Sequence, residues 1–99
     1  MRQDREAGRT DGAETLAIQG LAFLAADMER LELFLSLTGL DPRNLRAAAA
    51  EPRFLAGVLE HISGNESLLL QFAADAGVDP SAIGRARMAL AGPEPDWGA

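Results

Sequence analysis

The chain has 99 residues, 47% of them hydrophobic and 24% charged, with a formal net charge of −6. That balance describes one globular domain with a thin core and excludes a disordered or fibrous segment. It holds no cysteine, which excludes disulfides and thiolate metal sites. All the basic residues are arginine, and there is no tyrosine.

Residues 1–11 are polar and aperiodic and read as a mobile arm. Asp11 and Glu14 have capping-box spacing, so a first helix is expected over residues 12–26. Residues 16–26 are apolar nearly all round, which places that helix in the middle of a bundle. Gly20 inside it costs about 1 kcal/mol relative to alanine, a cost that close approach of another helix would offset. Asp27 caps a second helix over 28–38, with Leu31, Phe34, Leu35 and Thr38 on one side and Glu29 and Glu32 towards the outside.

Gly39-Leu40-Asp41-Pro42 then makes a corner: Gly39 ends one helix, and Asp41 with Pro42 opens the next. The third helix is short, over 42–50, and Pro52 stops it. A fourth, over 52–63, carries the stripe Leu55, Leu59 and Ile62. A fifth covers 65–76 with Leu69, Phe72, Ala73 and Ala76 inward. A second corner, Gly77-Val78-Asp79-Pro80, leads to a sixth helix over 80–91 with Ile83, Ala86 and Leu90.

The two corners stand 38 residues apart, and at that spacing Leu31 meets Leu69, Phe34 meets Phe72, Leu45 meets Ile83 and Asp27 meets Asn65. Neither half can bury its apolar face alone, so the two halves are expected to pack on each other. The fold class is therefore all-α, a compact bundle of about six short helices in two degenerate three-helix halves. The domain spans 12–92, followed by an acidic Pro/Trp tail at 93–99. Its expected core is Leu21, Leu24, Leu31, Phe34, Leu35, Leu45, Leu55, Leu59, Ile62, Leu69, Phe72 and Ile83.

The inventory points away from an enzyme. His61 is the only histidine, and a lone helical histidine reads as a boundary residue because a catalytic site needs several partners. Glu29 and Glu32 share a face but offer too few ligands for a metal. No glycine-rich phosphate loop occurs, so no cofactor is expected.

Two functional classes remain. The first is a non-catalytic protein-interaction or adaptor module with an unidentified, basic partner, contacted through Glu29, Glu32, Asp96 and Trp97. The second is nucleic-acid binding, because residues 69–87 resemble a bacterial helix-turn-helix. There Ser81, Ala82 and Arg85 would face the groove, with Arg87 near phosphates. The net charge of −6 argues against the second, since such proteins neutralise several phosphates.

Nothing near the mixed-charge N-terminus fits a secretory signal, and residues 15–26 are too short to span a bilayer. A soluble cytoplasmic protein, monomeric or weakly self-associating, is expected. For Trp97 two readings stand: a tail folded back on the bundle, or an extended tail offering its indole to a partner. The prolines at 93 and 95 and the acidic flanks favour the extended form.

The stretches FLAADMERLELFLSLTGLDPRNLR, EPRFLAGVLEHI and ESLLLQFAADAGVDPSAIGRAR resemble the bacterial domain-of-unknown-function family 3572. The resemblance runs from Leu16 through Ala91 and extends to the acidic Trp-containing end. It implies a small, stand-alone, all-helical bacterial protein and assigns no site residues.

Overall fold

The computed structural model describes the backbone from Arg2 to Ala91 and the side chains from Gly12 to Ala91. The described residues form six α-helices: α1 (Arg2–Ala25), α2 (Met28–Thr38), α3 (Leu45–Ala48), α4 (Pro52–Ser63), α5 (Glu66–Ala76) and α6 (Pro80–Ala91). A 3-10 turn at Pro42–Asn44 leads into α3, and no strand occurs among the described residues.

The caps expected from sequence set most of these boundaries. Asp27 Oδ1 accepts the Glu29 and Arg30 backbone N–H groups at 3.0 and 3.3 Å, and Asn65 Oδ1 accepts that of Leu68 at 3.1 Å. Each satisfies helix-start donors that have no partner within the helix.

Two elements differ from expectation. α1 starts at Arg2 rather than near Gly12, so Asp11 and Glu14 lie inside a helix rather than at its beginning. No proline interrupts residues 2–11, and arginine, glutamate and alanine all favour helix. The third helix expected over 42–50 is one 3-10 turn followed by a single α turn. Leu45 is the only large apolar residue there, so no stripe exists to extend it.

α1, α4 and α6 pack on one another at the centre, with α2 against α1 and α5 against α4. The core joins Leu55, Ala56, Val58, Leu59 and Ile62 of α4 to Ile83, Ala86 and Leu90 of α6 and to Ala13, Ala17 and Leu24 of α1. Of the expected core, Leu24, Phe34, Leu55, Leu59, Ile62, Phe72 and Ile83 are buried; Leu21, Leu35 and Leu69 pack against them half-buried. Leu31 and Leu45 are also only half-buried. The buried core also includes alanines 13, 17, 56, 73 and 86, whose small side chains let helix axes approach closely.

α1 is not enclosed on all sides: Ile18, Ala22 and Ala25 are exposed. Nearly apolar composition there reflects alanine, which is tolerated in water. The glycine expected to mark a close approach does so. A Cβ on Gly20 would lie 3.0 Å from Ile62 Cδ1 and 3.5 Å from both Leu59 Cδ2 and Phe72 Cζ.

The two halves pack reciprocally. Phe23 of the first half meets Phe72 of the second at 5.4 Å between ring centroids, and Phe34 of the first meets His61 of the second at 5.1 Å. At the 38-residue spacing Phe23 corresponds to His61 and Phe34 to Phe72. The same contact is thus made twice with the halves exchanged, as across a two-fold axis.

The corners share their left-handed glycines, Gly39 at φ 72° and Gly77 at φ 70°. Asp41 accepts the Arg43 N–H at 2.8 Å, and Asp79 accepts that of Ser81 at 2.9 Å. They close differently. Val78 donates its N–H to the Ala73 carbonyl at 3.0 Å, a Schellman closure. At the first corner Gly39 donates to Leu35 at 2.8 Å, and the Leu40 N–H goes to the Thr38 hydroxyl at 3.3 Å. Ala76 has no hydroxyl to offer at the matching place.

Candidate functional site

α2 has one buried apolar side and further apolar groups in water. The buried side carries Phe34, edge-on to Phe54 of α4 at 5.8 Å. Arg30 fixes the orientation: its guanidinium lies 4.7 Å from the centre of the Phe23 ring in α1 and donates a hydrogen bond to Gln71 of α5. Large apolar groups stand in water on the flanks of that buried side, Met28 69% exposed on one and Leu33 56% and Leu37 67% on the other. Glu29, Leu33 and Leu37 follow one another at four-residue intervals and so form one row, with Glu32 and Ser36 beside it. All are exposed.

The second half carries polar residues at the matching positions. At the 38-residue spacing Met28 corresponds to Glu66, Leu33 to Gln71 and Leu37 to Asp75, all polar and exposed in α5. One exchange runs the other way, Glu32 against the exposed Leu70. Leu33 and Leu37 are the site residues that a reading of helical stripes passes over. The signal that finds them is the comparison of one half with the other.

Of the residues expected at a partner contact, Glu29 and Glu32 stand on this surface, while Asp96 and Trp97 lie outside the described residues. His61 occupies the position that Phe23 holds in the first half and packs edge-on to Phe34. Burial holds its imidazole below the ordinary histidine range. Among the described residues no group of three His, Asp or Glu side chains is placed to hold a metal ion. No described helix is long and apolar enough to cross a membrane.

The residues of the helix-turn-helix alternative form a local chain on the second corner. Arg85 Nη1 donates to Ser81 Oγ at 3.1 Å, and that hydroxyl donates to Asp79 Oδ1 at 2.8 Å. The Ser81 backbone N–H and hydroxyl together hold the Asp79 carboxyl below its usual range, so it is an anion here. Arg87 is half-buried. α6 packs between α1 and α4, so only its outer side, with an acid at its start, is open to a ligand.

Short helices joined by capped corners, with one helix that carries large apolar groups both in the core and in water, define a small all-α domain. The chain belongs to the family described as "Protein of unknown function (DUF3572)", whose model matches residues 10–93. No curated protein and no solved structure matches it.

Proposed function

We propose that this protein is a non-catalytic interaction module that binds a basic partner surface through the outer side of α2. One observation carries the reading: Leu33 and Leu37 stand exposed where the corresponding positions of α5 are Gln71 and Asp75. The fold is built without apolar residues there in one half, so their presence in the other half requires a different reason. Apolar side chains held in water on a rigid helix supply the desolvation that drives association. Glu29 and Glu32 beside them supply charge that steers and orients a basic surface. We place this role in the cytoplasm, which suits a chain without cysteine.

Nucleic-acid binding is the weaker reading. The exposed side of α6 offers Arg85 next to the Asp79 carboxylate, within a chain of net charge −6. Phosphate binding needs several uncompensated cations.

The test is a pull-down from the native cell with the wild-type protein and the Glu29→Lys/Glu32→Lys variant, in parallel with titration of labelled DNA fragments at low salt. The expected result is a basic protein retained by the wild type, released by salt and lost in the variant. Micromolar DNA binding that weakens steeply with salt and disappears in Arg85→Ala/Arg87→Ala would overturn the proposal. So would retention that the charge reversal leaves unchanged.

A further inference from the structure

A groove of about 410 Å³ runs between α1 and α5, lined by Gln19, Ala22, Phe23, Ala26, Asp75 and Ala76. A volume at the low end of ligand sites suits one side chain rather than a whole cofactor. Ala22, Ala26 and Ala76 give it methyl groups and Phe23 a ring, while Asp75 brings a carboxylate. Asp75 is exposed, and among the described residues no arginine pairs with it. Arg30 stands on the Phe23 ring, but its charge is already met: its Nε lies 3.9 Å from Asp27 Oδ2, and Gln71 accepts its hydrogen bond.

The groove borders the surface of α2. Phe23 is one of its walls, and the same ring carries the Arg30 guanidinium of α2 at 4.7 Å. Leu33 follows Arg30 by three residues in α2, and Asp75 follows Gln71 by four in α5. Leu33 and Asp75 therefore each stand within one turn of the bond that ties the two helices together.

Apolar walls beside a carboxylate call for a ligand with an aliphatic stem and a cationic head. Arginine and lysine side chains have that build: they lay the stem along apolar surface and keep the head at the polar edge. We infer that the α1–α5 groove takes one arginine or lysine side chain of the partner that lies on α2. The stem runs against Ala22, Phe23, Ala26 and Ala76, and the head donates to the Asp75 carboxylate in a charge-assisted hydrogen bond. The inference rests on the reading that α2 binds a basic partner, and it adds where one of that partner's cations goes.

The test needs only the purified protein, followed by its backbone amide shifts in NMR. The probe is N-acetyl-arginine methylamide, and the control is its uncharged isostere, N-acetyl-citrulline methylamide. The arginine probe should shift the amides of Ala22, Phe23 and Asp75 saturably, with a dissociation constant on the order of millimolar for so small a ligand. Asp75→Asn should weaken that binding about fivefold, to the level of the citrulline control. Ala22→Phe, which fills the groove, should abolish it. Both residues are exposed, so the variants keep the fold, which circular dichroism checks. Leu33→Gln/Leu37→Asp should leave the probe's shifts as in wild type, so failure of the groove and failure of the α2 reading are told apart. Absence of saturable shifts at these amides would overturn the inference. So would equal binding of the citrulline control, or shifts that either groove variant leaves unchanged.

Discussion

Set side by side at the 38-residue spacing, α2 and α5 agree where they face the core and part where they face water. Asp27 and Asn65 cap them, Phe34 and Phe72 fill the core, and Gly39 and Gly77 end them. On the outside, Leu33 and Leu37 stand against Gln71 and Asp75. The shared positions are what the fold needs, and the differing ones are open to other uses. The segments after the two corners add a second lesson. Both begin with Asp-Pro, yet one is a 3-10 turn and a single α turn while the other is the twelve-residue α6. A cap fixes where a helix starts; an apolar stripe, here Ile83, Ala86 and Leu90, fixes how far it continues.

The largest effects should come from the core. Phe34→Ala and Phe72→Ala should each cost about 3–5 kcal/mol in urea unfolding, enough to unfold a domain of this size. Their partners in the repeat should separate: Ile83→Ala should cost about 2–5 kcal/mol, and the half-buried Leu45→Ala about 1 kcal/mol or less. Equal losses at Leu45 and Ile83 would break the distinction between the two corners.

Gly39→Ala and Gly77→Ala should cost about the same, roughly 1–2 kcal/mol, because the left-handed backbone alone sets the penalty. No atom lies within 4 Å of a Cβ built at either position. A much larger loss at one of them would show that the corners are not equivalent.

His61 gives a pH signature that its counterpart Phe23 lacks. Its folded pKa lies below the ordinary value, so the unfolded chain binds its proton first. Stability should therefore be complete above about pH 6.5, fall as pH drops through the unfolded value, and level off below the folded one. His61→Phe, which installs the residue of the other half, should flatten that limb of a stability–pH curve.

Thr38→Ala should give the smallest change, about 0.5–1 kcal/mol. It removes the hydroxyl that takes the Leu40 N–H and leaves the first corner to close as the second does, through the carbonyl three residues before the helix end. Hydrogen exchange at Leu40 measures that exchange of partners directly.

The sequence made α2, α4 and α6 legible because Asp27, Pro52 and Asp79-Pro80 are strong start signals and Gly39 is a strong stop. It misplaced the start of α1 because a capping box can also sit inside a helix. It overstated the burial of α1 because alanine counts as apolar whether or not anything covers it. Glu29 and Glu32 were legible as an outer face from their spacing alone. Leu33 and Leu37 were not, since they lie off the Leu31, Phe34 and Leu35 stripe and nothing local marks an apolar residue outside a stripe as a site. The packing of α1 on α6 joins helices far apart in sequence, which no local pattern carries.

The central claim is that Leu33 and Leu37 serve a partner and not the fold. Leu33→Gln/Leu37→Asp writes the residues of α5 into α2, and it can be measured for urea stability and for retention of the basic partner in the same preparation. Stability should stay within about 0.5 kcal/mol of wild type, as for exposed sites generally, while retention is lost. A loss of several kcal/mol, or retention equal to wild type in a folded variant, would contradict it.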